Sequence, residues 1–481
     1  SSIKVYKICA LIRKVVHLES TASVLKIIEI YCTGELLRQV QSAKLFNDNK
    51  AFVDMKLTAA PGTDHHSASA SLCLCYGPKF LSKVSDPTLR GWAEELHGLW
   101  KSLGRKVNNP QLHSMIYVPN PVIVPGGRFK EFYYWDSYWV LNGLLLSEMT
   151  DTAKGMIQNF LYMVNRYGFV PNGGRVYYER RSQPPFLCLM VESYYEATKD
   201  AEFIREAFPT LEKEYDFWMQ NQTIGKDDSG QNTGTFGDTS TSSILPVELN
   251  ALLYRNELLL ASFSRILGDE AKALEYERAA AARLKGVESV FWDAEKGAWF
   301  DYNLLRSARH PAFYPTNLSP LWARCHSQPG MGQLALQYLR GSGGLDYPNG
   351  IPTSLVNSGQ QWDLPNAWPP LQHMVIEGTG RVRISGWYRS DALQESCSAN
   401  ISSPICPCLF LSLSLSLSLS LSGLSQLDST DGKELAFDLA QRWIRTNWLA
   451  YVKYKAMFEK VNTFIISVVE ISICKKSLFF T

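Results

Sequence analysis

The 481-residue chain has almost no net charge, +2 at neutral pH from 48 basic and 46 acidic residues. No basic block stands out, so the electrostatic footprint of a nucleic-acid binder is missing. No Cys-X-X-Cys or Cys/His spacing of the kind that holds zinc occurs either. The C-terminal apolar run from Phe464 to Cys474 contains Glu470 and is too short to span a bilayer. A secretory signal is not evident at the start, where Lys4, Lys7, Arg13 and Lys14 interrupt any apolar stretch. The compartment is left open, a secreted or membrane-anchored gene product included. Asn221-Gln-Thr and Asn400-Ile-Ser would accept glycans only in a secreted protein, and Asn317-Leu-Ser is weaker because Pro320 follows. The ten cysteines do not form a disulfide framework by placement. Cys9, Cys32, Cys73, Cys75, Cys397, Cys406, Cys408 and Cys474 lie in stretches inconsistent with the rest, and only Cys188 and Cys325 sit in coherent sequence.

Aromatic residues, by contrast, are abundant at 12%. They concentrate in two blocks. Pro125 to Val140 reads PGGRFKEFYYWDSYWV, a tight Pro-Gly-Gly turn followed by Arg128, Glu131 and Asp136 among aromatic rings. Flat rings cover the apolar faces of a sugar while charged groups bond its hydroxyls, so this mixture suits a carbohydrate site. An amphipathic helix with an aromatic core face is the simpler explanation of one block. The second block, QQWDLPNAWPPLQH at Gln360 to His373, makes a chance pairing hard to sustain.

Between the blocks the periodicity is helical. Helices are expected over Leu89–Leu103, Asp136–Ser147, Asp151–Tyr167, Val191–Thr198, Glu202–Gln220, Glu248–Leu267 and Glu270–Val290, with a hairpin turning on Glu295-Lys-Gly. Many paired helices and few strands imply an all-α body, a helical toroid whose loops build a site at one end. Four segments break this consistency: Ser1 to about Tyr31; His65–Tyr76; Arg383 to Gly423; and Val461–Thr481. The third holds Leu411–Ser422, a twelve-residue Leu/Ser alternation that resembles a translated CT repeat from an intron end, and it reads as a gene-model artefact.

The two blocks resemble the two signatures of the trehalase family, inverting glycoside hydrolases that split α,α-trehalose into two glucose molecules. Pro125–Tyr138 matches the first signature and Gln361–Pro370 the second, with Ala367 where glycine is common. Val170–Phe186, Thr239–Tyr254, Asn47–Leu57 and Ala440–Trp448 resemble further family segments, with the likeness nearest to plant enzymes. The resemblance implies an (α/α)6 toroid, here incomplete and carrying disordered inserts. Residues 32–460 would be the catalytic domain, interrupted at about 384–425, with 1–31 and 461–481 outside it. It implies a disaccharide substrate, and no metal or cofactor.

Carried over position by position, Arg128, Trp135, Asp136, Asn172, Arg181, Ser182 and Gln183 would contact sugar, and Trp362, Asp363 and Trp368 would wall the pocket. Inverting hydrolysis needs one carboxylic acid for the leaving oxygen and one carboxylate to activate water on the opposite face. Met457-Phe-Glu-Lys places Glu459 at the position of the family's base, with Val461 in place of an aromatic. The acid belongs to an SGWDFSSRW-like segment. This chain instead reads GKDDSGQNTGTFGDTSTSSILPV over Gly225–Val247, where Asp227, Asp228 and Asp238 have no matching neighbours. The general acid and its surroundings are therefore expected to be absent, and the chain to be impaired. A catalytically inactive sugar-binding or regulatory protein is the alternative. Another toroidal glycosidase, such as a glucan-cleaving enzyme, fits the two signatures poorly.

Overall fold

The computed structural model describes residues 27–44, 46, 48–57, 77–220, 243–380 and 431–464. Outside them lie residues 1–26, the Leu/Ser insert, residues 465–481, Asn221, Asn400, and Asp227, Asp228 and Asp238. The body is an all-α toroid. After α1 (Glu35–Ser42) and α2 (Pro87–Gly98), the helices come in pairs: α3 (Asp136–Leu146) with α4 (Thr150–Tyr167), α5 (Leu187–Thr198) with α6 (Ala201–Gln220), and α7 (Val247–Ile266) with α8 (Glu270–Val290). There follow α9 (Ser319–Ala323), α10 (Pro329–Gly341), α11 (Pro369–Gly380) and α12 (Asp431–Tyr454). The helices expected from periodicity are present, with ends moved by a few residues.

Burial sorts these helices into inner and outer positions. On α3, Asp136, Ser137 and every residue from Trp139 to Leu144 are buried, so the helix is covered on all sides. It packs on α5, which packs on α7, and the chain of contacts continues through α9 to α11. On α8 only Ala273, Tyr276, Ala280 and Val287 are buried, a single stripe at helical spacing. That helix lies on the outside against α7. Local signals set the ends. Asp86 caps α2 by accepting from the Leu89 amide, with Pro87 at the first helical position. Between α7 and α8, Gly268 takes φ +83°, the left-handed conformation that glycine adopts without strain.

Strands are short and act as clasps. The expected hairpin is present as β4 (Trp292–Asp293) against β5 (Ala298–Trp299). A second clasp pairs β8 (Asn366–Ala367) with β9 (Val461–Asn462), antiparallel. The chain thus stays in the body past Lys460, where a non-family tail was expected to begin. Asn317 is buried, its amide donating to the Trp299 carbonyl at 2.6 Å, so the fold closes that glycosylation triplet. Cys188 and Cys325 are buried free thiols.

Several polar groups inside the ring are partnered across elements. The Tyr134 hydroxyl donates to Glu214 Oε1 at 2.6 Å and accepts from the Leu187 amide at 2.9 Å, joining α6, α5 and the first aromatic block. The Trp139 indole donates to His373 Nδ1 at 3.2 Å, which leaves the proton of a neutral ring on Nε2, 3.4 Å from Glu377. Burial pushes the Glu214 carboxyl up to about 7, with the Tyr134 hydrogen bond pulling the other way. The folded state therefore holds this proton more tightly than the unfolded chain. Its contribution is intact below about pH 4.5 and is lost as pH rises through about 7. In urea titrations at pH 5 and 7.5, Glu214→Gln is expected to remove on the order of 2 kcal/mol of this pH dependence.

Candidate active site

The first aromatic block begins with the expected turn. Gly126 and Gly127 have φ +99° and +59°, and the Phe129 amide closes the turn on the Gly126 carbonyl at 3.0 Å. A side chain at Gly126 would also sit 2.9 Å from Leu103 Cδ2. This turn presents Arg128. Eight residues on, Asp136 is the first residue of α3, where helix amides favour negative charge. Burial overrides that preference. It raises the Asp136 carboxyl to about 7, the Glu459 charge adds to the rise, and Asp136's own amide and Gln183 lower it. Asp136 therefore exchanges donor and acceptor roles near neutral pH.

Glu459 comes from the other end of the chain, on the loop between α12 and β9. Burial raises its carboxyl above the usual range, while Lys460 and Arg128 lower it. The Glu459 charge thus reaches Asp136, 323 positions away in sequence, and Arg128 as well. Gln183 joins the group, its side-chain oxygen accepting from the Trp135 amide at 3.1 Å.

The two aromatic blocks meet directly. Trp362 stacks on Trp368 with centroids 4.1 Å apart and planes 3° from parallel, and Trp135 lies 5.9 Å from Trp362. Trp362 remains partly exposed beside buried Trp368. This is a flat apolar shelf beside two carboxylates, a guanidinium and an amide, which is the chemistry for gripping a polyhydroxylated ring and moving protons at its edge.

Other sequence-picked residues take different posts. Asp363 is fully buried and accepts from the Ser354 hydroxyl at 2.5 Å and from Ser358, so it holds its own loop rather than facing outward. The Ser182 hydroxyl bonds the Val170 carbonyl at 2.7 Å. Asn172 and Arg181 share a loop, the Asn172 amide donating to the Arg181 carbonyl at 2.8 Å. The Arg181 guanidinium is exposed, 5.4 Å from the centre of the Tyr178 ring. Arg128 engages Asp48 through two bonds, 2.7 and 2.8 Å, which lowers Asp48 and raises Arg128.

Sequence reading missed the group beneath this site. Glu131, counted among the charges suited to sugar, is fully buried and turned away into a polar cluster. Lys50 Nζ lies 2.9 Å from one of its oxygens and Arg175 Nε 3.0 Å from the other, and the Tyr133 hydroxyl also donates to it. Lys50 pairs with Asp54 as well, and Tyr177 donates to Asp54 at 2.8 Å. The available signal was Asp48, Lys50 and Asp54 within the stretch Asn47–Leu57, with Lys50 and Asp54 four residues apart on one helical turn.

The sequence profile described as Trehalase matches residues 26–228 and 223–386. The chain belongs to the trehalase family of glycoside hydrolases. It is 39% identical to the trehalase of Oryctolagus cuniculus over 533 residues, covering 90% of this chain and 84% of that protein. With the Arabidopsis thaliana trehalase the identity is 32%, covering 80% and 66%. The animal relative is the more similar of the two, where the motifs had pointed to plants. Among solved structures, the neutral trehalase of Saccharomyces cerevisiae superposes with TM-score 0.51 at 21% identity, covering 77% of this chain and 76% of that one. That likeness shows the (α/α)6 fold.

The buried cluster makes the trehalase signature depend on the segment 48–57. Removing one partner of a buried ion pair strands the other charge. Lys50→Met is expected to cost about 3–5 kcal/mol by urea denaturation. Removing the solvent-exposed Arg38–Glu35 pair should leave the midpoint nearly unchanged.

Proposed function

We propose that this chain derives from a hydrolase of α,α-trehalose and retains the water-activating half of the site without its general acid. In the intact reaction, Glu459 takes a proton from water as that water bonds to C1 of one glucose unit. The C1–oxygen bond to the other unit breaks on the opposite face, and an acid supplies the proton that the departing oxygen needs. Inversion follows from that geometry. Trp135 and Trp362, the latter backed by Trp368, cover the sugar faces, while Arg128, Asp136, Asn172, Arg181 and Gln183 supply hydrogen-bonding groups for the hydroxyls.

One observation supports this reading: the Glu459 charge reaches Asp136, beside rings that both signature blocks contribute. Two further facts support the missing acid. The family match breaks at 223–228, just where the Gly225–Val247 stretch departs from the family pattern. The alignment with the rabbit relative runs over 533 residues while the chain has 481, so that relative carries residues with no counterpart here. General acid catalysis is typically worth about 10²–10⁴-fold, and losing pocket wall costs more through positioning.

The chain as written is therefore expected to release glucose from trehalose at least about 10²-fold more slowly than an intact family member. Calorimetry on the same preparation should still register trehalose binding. Turnover near that of the intact enzyme would refute the missing acid. Absence of both binding and turnover would refute a retained sugar site. Binding without turnover also describes the inactive sugar-binding alternative, which hydrolysis regained with a restored acid segment would exclude.

A further inference from the structure

A base on a loop between a long helix and a two-residue strand needs something to hold it. Part of the answer is backbone. β9 pairs with β8, Thr463 donates to the Pro365 carbonyl at 2.9 Å, and the Asn349 side chain donates to the Asn462 carbonyl at 3.2 Å. These bonds fix the chain after Lys460 to the second aromatic block. The rest comes from Lys460 itself. Its ammonium donates to Gln361 Oε1 at 3.1 Å and lies 5.3 Å from the centre of the Trp368 ring. Trp368 is held in turn by its stack on Trp362 and by its indole N–H donating to the Gln361 carbonyl at 2.9 Å. Lysine, glutamine and tryptophan form one closed unit immediately beside Glu459.

We propose that Lys460 is a positioning residue for Glu459: anchored on Gln361 and Trp368, it fixes the end of the Glu459 loop and supplies compensating positive charge to that buried carboxylate. The charged groups around Glu459 fit this role. The Glu459 charge raises the carboxyl of Asp136, at the start of α3. Arg128, on the 126–129 turn, favours it but is engaged by Asp48. Lys460 favours it too and is the larger of the two cationic influences. A cation over an aromatic face gains from the ring quadrupole while keeping its full charge, so the Trp368 platform holds the ammonium without neutralising it. The second signature would thus serve two ends, with Trp362 as sugar shelf and Trp368 with Gln361 as the seat of the base.

This proposal rests on Glu459 being the base, so its test reads the carboxyl directly. The full-length chain is labelled with glutamate carrying ¹³C at the side-chain carboxyl, and Glu459→Gln identifies the Glu459 resonance. Its titration midpoint is then compared in the wild type, Lys460→Met and Lys460→Arg. The expected result is an upward shift of about one pH unit in Lys460→Met, largely reversed in Lys460→Arg. Gln361→Ala, at an exposed position, removes only the anchor and should give a smaller upward shift, which covers the case in which Lys460→Met does not fold. An unchanged midpoint in Lys460→Met, or in Gln361→Ala if that variant alone folds, overturns the proposal. Failure of the trehalase reading would show separately, as loss of trehalose binding in calorimetry.

Discussion

Burying carboxylates without leaving them unpaired is the constraint on which this site depends. Glu131 is fully enclosed, and it is tolerable there because Lys50, Arg175 and Tyr133 all reach it. Through that cluster the segment 48–57 is fastened under the first aromatic block, and Arg128 is held above it by Asp48. The same rule operates at Glu459, where Lys460 and Arg128 counter the cost of burial. One buried acid organises the floor of the site, and another, Glu459, is the proposed base.

This division explains why the two signatures carry so many residues. In the first, Tyr134 ties three elements together through Glu214 and Leu187, and Trp139 reaches His373 on α11. Such residues set the frame, while Arg128, Trp135 and Asp136 are the ones proposed to contact the sugar. In the second, Asp363 and the prolines shape the loop, Trp362 lies open to a ligand, and Trp368 supports its neighbours on either side. A rigid frame lets a few exposed groups be placed accurately.

The fold was largely legible in the sequence. Helical periodicity placed the paired helices from Leu187 to Val290, and the Glu295-Lys-Gly hairpin lies where the turn residues put it. The grouping of Trp135, Gln183 and Trp362 was legible, because their neighbours form matched motifs. The sequence was misleading at Asp363 and Glu131, since a linear motif does not reveal which carboxylate turns inward. The Lys50 and Arg175 partnerships were hidden because they join residues far apart in sequence. The β8–β9 clasp was hidden as well, because a two-residue strand leaves no period to read.

The proposed reading is that this trehalase-family site lacks its acid-bearing segment and retains the base. The most direct measurement replaces residues 225–242 with the corresponding segment of the rabbit relative and follows trehalose hydrolysis by proton NMR. Regained turnover that initially yields one α-glucose and one β-glucose per trehalose, and is abolished by Glu459→Gln, is the predicted result. Two α-glucose molecules at the outset, turnover indifferent to Glu459→Gln, or no turnover from a folded protein that binds trehalose would contradict the account.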